Sequence, residues 1–253
     1  MTSPFDLDGR VALVTGSGSG IGRAIALGLA EAGADVAAVG RNPETLNATA
    51  EAVRARGRRG ISIAADVTEA AKVSWVIERV ITELGGLHIL VNSAGAQITG
   101  DTVDFAEADW DSVLDTNLKG TFLCCQAAAR HFLASGRGKI VNLASTFSFV
   151  GFPQFAAYCA SKGGVLMLTR ALATEWAKDG INVNAIAPCA TRTELNAYLL
   201  DDPAFLEGFL PRFPAGRLAK PEDMVGAAVY LSSPASDMVH GQALLVDGGY
   251  TAI

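Results

Sequence analysis

Residues 10–32 read RVALVTGSGSGIGRAIALGLAEA, and three local patterns meet in them. RVALVT, Arg10–Thr15, is a short β-rich apolar run of the kind shown by a strand buried on both faces. Glycines at 16, 18, 20 and 22 then break the chain, and an Ala/Leu-rich helical pattern continues to about Ala32. Strand, glycine turn and helix N-terminus in that order make an anion site: free backbone N–H groups and the helix dipole point at whatever phosphate lies there. The strict G-x-G-x-x-G spacing is absent. What stands here is T-G-x-x-x-G-x-G, from Thr15 through Gly16 and Gly20 to Gly22. A merely flexible Gly/Ser turn would not account for the strand before it and the helix behind it.

The same alternation extends outward. A second apolar strand, Asp35–Val39, ends at Gly40-Arg41. In dinucleotide sites an acid about 20 residues past the glycines bonds the ribose 2′-OH, whereas an Arg there accommodates a 2′-phosphate. This strand end carries Arg41 and no acid, and Asp35 is at the wrong end to serve, so the pattern favours NADP, with NAD possible. Helix Pro43–Arg56 then leads to strand Ile61–Ala65 and Asp66-Val67, and helix Ala70–Leu84 to strand Leu87–Val91 and the run Asn92-Ser-Ala-Gly95. Long helices around Ala108–Leu133 and Gln154–Lys178 precede strands Lys139–Ala144 and Ile181–Ile186, and helix Glu222–Leu231 precedes strand Ala243–Val246. Such spacing predicts an α/β fold: a single doubly wound parallel sheet (Rossmann-type) flanked by helices on both faces. No linker, repeat or low-complexity segment divides the chain, which reads as one domain over residues 1–253. Ligands of such folds bind beyond the carboxyl ends of the strands. Gly16, Arg41, Asp66, Asn92, Ser145 and Pro188 all follow strand ends and are expected along one rim.

Composition sets the class. Half of the 253 residues are apolar and 18% are charged, the balance of a globular chain with a generous core. A net charge of −6 argues against nucleic acid as a main partner, since phosphate binding needs a basic field. No window approaches the roughly 18 apolar residues of a membrane span. The N-terminal MTSPFDLDGR carries acids where a signal peptide would carry a basic and then an apolar run, so a cytoplasmic protein is expected. Cys124, Cys125, Cys159 and Cys189 form no CxxC and read as small buried hydrophobes; with His88, His131 and His240 scattered, no metal site is expected.

In STFSFVGFPQFAAYCASK, Ser145–Lys162, a hydroxyl precedes a Y-x-x-x-K pair, Tyr158 and Lys162. Four residues apart on a helix, these two side chains share a face. A free tyrosine, with a pKa of about 10, is a poor proton donor or acceptor at neutral pH, and an adjacent ammonium favours the phenolate. Lone Y-x-x-x-K pairs arise often by chance; what gives this one weight is the rim of strand ends on which it is expected to fall.

TGSGSGIG at 15–22, Asp66-Val67, NSAG at 92–95, Asn117 in DTNLKG, Ser145, YCASK at 158–162 and IAP at 186–188 together resemble the short-chain dehydrogenases/reductases of the ordinary type, over essentially the whole chain. The resemblance implies hydride transfer between a nicotinamide cofactor and a carbonyl or secondary alcohol. It puts the general acid/base on Tyr158, assigns Lys162 to lowering its pKa and holding the nicotinamide ribose, Ser145 to positioning the substrate oxygen, and Asn117 to a water-linked proton relay. The cofactor would be held by Gly16, Ser19, Gly20, Ile21, Gly22, Arg41, Asp66, Val67, Asn92, Ala94, Gly95, Tyr158, Lys162, Pro188, Thr191 and Thr193. Two departures stand out: Ser93 where the family usually has Ala, and Cys189 where Gly usually follows the proline, a change expected to reshape that loop. Cys189 has no evident base beside it and is not expected to be a nucleophile. Cys159 is expected to be buried.

Residues 190–220 are broken by Pro203, Pro211 and Pro214 and read as a mobile lid over the substrate, with Leu195, Tyr198, Phe205 and Phe209 as its apolar interior. Arg192 and Arg212 could meet an anion there, though each reads more simply as a solvated charge. The closing VDGGYTAI resembles relatives acting on polyols and sugar acids. An NAD-dependent polyol or sugar-acid dehydrogenase, a 3-oxoacyl thioester reductase and an aromatic or alicyclic ketone reductase are the alternatives; a silent dinucleotide sensor would need a broken Ser–Tyr–Lys set. The long Ala-rich helices, by the resemblance, imply a homotetramer, with D2 symmetry the commonest for such assemblies.

Overall fold

The computed structural model describes residues 3–252, so Met1 and Thr2 of the N-terminal segment and Ile253 of the C-terminal run lie outside the described residues. Seven strands form one all-parallel sheet: β1 Val11–Thr15, β2 Asp35–Gly40, β3 Gly60–Ala64, β4 Ile89–Asn92, β5 Gly138–Leu143, β6 Ile181–Pro188 and β7 Ala243–Val246, in the order β3-β2-β1-β4-β5-β6-β7. The order reverses between β1 and β4, which is where a doubly wound sheet opens a crevice.

The strands are apolar throughout because both faces are covered. Along β1, Val11 and Leu13 join one core cluster while Ala12 and Val14 join the other, the alternation a pleated strand imposes. On the first face pack α3 (Ala70–Leu84), α5 (Gly120–Ser135) and α6 (Ala156–Trp176), through residues such as Val80, Phe132 and Leu172. The second face takes α1 (Gly20–Glu31) and α9 (Val225–Ser232), through Ile25, Leu29 and Ala228. Each large aliphatic side chain so buried contributes about 1.5–3 kcal/mol. α2 (Pro43–Arg54) is capped by Asn42, whose Oδ1 accepts from Glu44 N at 2.9 Å.

The helix expected around 108–133 is continuous but not uniform. α4 (Glu107–Leu114) passes into a π-helical turn at Asp115–Lys119 before α5 begins. That turn widens the helix where Asn117 points inward, a common setting for functional residues. In 190–220 there are two short helices, α7 (Ala197–Leu200) and α8 (Pro203–Phe209), each near the expected proline breaks. Among the described residues no helix is long and apolar enough to cross a membrane.

Candidate active site

A cleft of about 540 Å³ runs along the carboxyl ends of the strands. Its floor is the turn between β1 and α1. Gly16 and Gly20 hold φ of +65° and +53°, values only glycine adopts freely. A Cβ on Gly22 would stand 2.3 Å from the Gly16 carbonyl oxygen, so the turn closes on itself with no side chain between backbone and cleft. Ser17 pins it to β2, accepting from Val39 N at 3.0 Å, and Thr15 Oγ1 accepts from Ser93 N and Ala94 N at 3.0 and 3.1 Å, tying the ends of β1 and β4. The first turn of α1 contains no acid, and its Ser19 cap makes no side-chain bond. The positive end of that helix is therefore uncompensated where it faces the cleft, which suits the pyrophosphate of a dinucleotide. Past β2 the lining is Gly40, Arg41, Asn42 and Thr45; past β3 it is Asp66 and Val67. The Asp66 carboxyl is held below its usual range, chiefly by the N–H of Thr68 at 2.9 Å.

α6 brings the phenol and the ammonium together. Lys162 Nζ lies 5.8 Å from the centroid of the Tyr158 ring and donates to Leu143 O at 2.6 Å, with the residue 5% exposed. Ser145, just past β5, is held by Phe147 N at 3.1 Å and lines the cleft with both. Burial pushes the Tyr158 phenol up to about 12, against the pull of a hydrogen bond from Ser145, and pushes the Lys162 ammonium down to about 8. The expected lowering of Tyr158 by Lys162 is thus not what the protein alone provides. The ammonium lies toward the ring and spends a proton on a backbone carbonyl, so desolvation of the phenol wins.

This arrangement makes a stability prediction. A buried lysine whose pKa falls from 10.5 to about 8 holds fewer protons than the unfolded chain between those values. The folded state is therefore penalised fully below pH 8, and the penalty is relieved as pH rises toward 10.5. Denaturant titrations should show wild type gaining on Lys162→Met by up to about 3 kcal/mol across that window. Parallel curves would contradict the burial of a charged Lys162.

The comparisons with known proteins agree with this geometry. A family profile described as enoyl-(acyl carrier protein) reductase matches residues 16–251. The chain is 45% identical to the 2-dehydro-3-deoxy-D-gluconate 5-dehydrogenase of Escherichia coli strain K12, over 99% of this chain and 98% of that one. It is also 45% identical to the D-threitol dehydrogenase of Mycolicibacterium smegmatis, over 98% and 95%. The crystal structure of a gluconate 5-dehydrogenase from Burkholderia cenocepacia J2315, in complex with NADP and tartrate, superposes with a TM-score of 0.95 at 44% identity, covering 99% and 98% of the two chains. The chain belongs to the short-chain dehydrogenase/reductase family.

Within this dehydrogenase fold the residues singled out from sequence divide into two groups. Gly16, Ser19, Gly20, Ile21, Gly22, Arg41, Asp66, Val67, Ala94, Gly95, Ser145, Tyr158, Lys162, Pro188, Thr191 and Thr193 all line the cleft. Asn92 does not: its amide is buried beneath the rim, donating to Asn142 Oδ1 at 2.8 Å and to Cys125 Sγ at 3.3 Å, because the polar end of β4 is stitched to β5 there. Asn117 is likewise fully buried behind the wall. Its Oδ1 accepts from Ala96 N at 2.7 Å, and its Nδ2 donates to Ala96 O and to Ser161 Oγ at 3.0 and 2.9 Å. Its side chain ties Ala96 in the cleft wall to Ser161 of α6.

Other expectations are corrected. Cys189 is not in the left-handed region, so the missing glycine strains nothing there, and burial pushes its thiol up to about 11, away from nucleophilic use. Cys159 is only half-buried, one position off the Tyr158 face. Phe209 is buried among Phe152, Phe205, Phe213 and Tyr250, and Leu195 lines the cleft although 39% exposed, but Tyr198 is 56% exposed and outside the lining, its hydroxyl meeting Gln97 and Thr99. Arg192 pairs with Asp201, and Arg212 lies over the Phe152 ring at 5.3 Å. Sequence reasoning missed Gln97 and Asn196. Asn196 Oδ1 accepts from Thr193 N at 3.0 Å and its Nδ2 donates to Thr191 O at 3.0 Å, fixing both threonines; an Asn three residues past Thr193 was the available signal.

Proposed function

We propose that this chain interconverts a secondary alcohol and the corresponding ketone in a small polyhydroxylated compound, preferring NADP. The observation that carries this reading is that Ser145, Tyr158 and Lys162 share one cleft with the open glycine turn. The nicotinamide, when bound, supplies or accepts the hydride. Tyr158, protonated at neutral pH, donates to the oxygen where charge develops during reduction and must first lose that proton for oxidation. Ser145 donates a second hydrogen bond to the same oxygen. Lys162 holds a buried positive charge behind the phenol, and Asn117 keeps α6 and the opposite wall in register. The relatives named for a sugar acid and a four-carbon polyol support the substrate class, and the NADP-bound neighbour supports the cofactor.

The cofactor preference rests on Arg41, which lines the cleft past β2 where no acid stands. Arg41→Ala should lower kcat/KM with NADP by about 10–100-fold, the worth of a charge-assisted bond, and leave NAD nearly untouched. Equal losses with both cofactors would remove Arg41 from the 2′-phosphate. Screening cofactor turnover against polyols, sugar acids, plain ketones and acyl thioesters tests the reaction itself; turnover confined to thioesters would replace this reading.

Segment 190–220 serves as the substrate lid in this proposal, supported by Thr193, whose methyl would meet a Cβ on Gly20 at 3.0 Å. A cytoplasmic homotetramer is proposed as well. Its support is four free cysteines and a groove on α4–α6 lined by Leu114, Leu118, Phe122 and Leu168. Light scattering giving a monomer mass would overturn the assembly.

A further inference from the structure

Resting on the polyhydroxylated-substrate reading above, we propose that the substrate end of the cleft selects uncharged polyols and ketoses over sugar acids. A carboxylate taken from water needs a cation or several strong donors, whereas a hydroxyl is satisfied by neutral partners that both donate and accept. Among the described residues, the cations lining the cleft are Arg41 and Lys162. Arg41 follows β2, three strands from β5 and its Ser145, or roughly 14 Å across the sheet. Lys162 is spent on Leu143 O behind the phenol. The lid's own cations do not supply one either: Arg217 is paired with Asp223, and neither it nor Lys220 lines the cleft. Arg192 is paired with the Asp201 carboxylate and donates to Leu200 O at 2.8 Å, and Arg212 covers Phe152 outside the lining. The one ionised group the 190–220 segment adds to the lining is an acid, Glu194.

What the mouth offers instead is a neutral hydrogen-bonding set. Gln97 lines the cleft and its Nε2 approaches the Tyr198 hydroxyl at 3.5 Å, while the Thr99 hydroxyl lies 3.3 Å from the same oxygen. Gln97 is the member of this set that lines the cleft, and so long a bond leaves its amide capacity for a substrate hydroxyl, with the Tyr198 and Thr99 hydroxyls behind it. Their wall is fixed: Gly100 N donates to Gln154 O at 3.1 Å, and Gln154 Nε2 donates to Asp101 Oδ1 at 3.0 Å. A neutral amide that shares the lining with the acid Glu194, and with no uncommitted cation among the described residues at this end, matches a run of –CH(OH)– groups and disfavours a terminal carboxylate.

The test compares substrates that differ only in a terminal CH2OH or carboxylate: threitol with threonate, and glucitol with gluconate, each with NADP. The polyol is expected to show kcat/KM at least about tenfold higher in both pairs, with calorimetric affinity for the NADP-loaded protein in the same order. Gln97→Arg should shift the ratio toward the acid by about tenfold, by adding the missing cation. Equal efficiencies, or a preference for the acids in wild type, overturn this inference while sparing the reading beneath it. Turnover of none of the four, alongside turnover of plain ketones, overturns the polyhydroxylated-substrate reading and this inference with it.

Discussion

Tyr158→Phe is expected to lower kcat by about 10³-fold or more, with cofactor affinity essentially unchanged. The substitution removes one oxygen and keeps the ring, whose edge contacts with Phe147 and Phe155 at centroid distances of 6.3 and 6.5 Å hold it in place. Folding and the glycine turn should therefore survive, and loss of rate isolates the proton transfer. The pH profile supplies an independent check. With the phenol pushed up to about 12, the wild-type oxidation rate should climb toward alkaline pH, while reduction stays supported near neutrality. In Tyr158→Phe both trends should flatten. Rates within a few-fold of wild type, or a profile that does not change, would take the general acid/base away from Tyr158.

Gly22→Ala should have an effect of comparable size on the other half of the site. Its Cβ would meet the Gly16 carbonyl oxygen at 2.3 Å and the carbonyl carbon at 2.8 Å, both backbone atoms that no rotamer change can clear. The turn must open, which displaces the N–H groups that would cradle the pyrophosphate. Cofactor affinity is expected to fall by about 100-fold, and overpacking to destabilise the protein by about 1–3 kcal/mol. Gly226→Ala is the control: it lies within α9 with nothing within 4 Å of an added Cβ, and should stabilise the helix by up to about 1 kcal/mol. Fluorescence titration with NADPH and denaturant unfolding measure the two effects separately. Unaltered NADPH affinity in Gly22→Ala would show that the turn does not hold the dinucleotide.

Electrostatics at the centre of the site run against the simplest expectation. Proximity of Lys162 to Tyr158 predicts a labile phenol, yet the protein by itself buries Lys162, partly desolvates Tyr158 in the cleft wall, and moves each toward its neutral form. The ammonium over the ring, bonded to Leu143 O, is held at a cost in stability, and the pH-dependent comparison with Lys162→Met reads that cost directly.

The sheet, the glycine turn and the Ser145–Tyr158–Lys162 set are legible from residue order alone, because each is written in local terms. Strand periodicity, positive-φ glycines and a four-residue helical spacing depend on a few neighbouring residues, and the parallel topology then carries Gly16, Ser145 and Tyr158 to one rim. Tertiary structure decided the rest, where the outcome depends on contacts between segments distant in sequence. Asn92 and Asn117 stand out as site candidates in sequence, but which partners their amides take, Asn142 for the one and Ala96 and Ser161 for the other, is set across the fold. Gln97, Thr99 and Tyr198 carry no motif; their contact exists only because α7 folds back over a wall roughly a hundred residues earlier in the chain. The direction of the Tyr158 and Lys162 shifts likewise follows from how far the surrounding elements screen each group from water, a quantity no local spacing encodes.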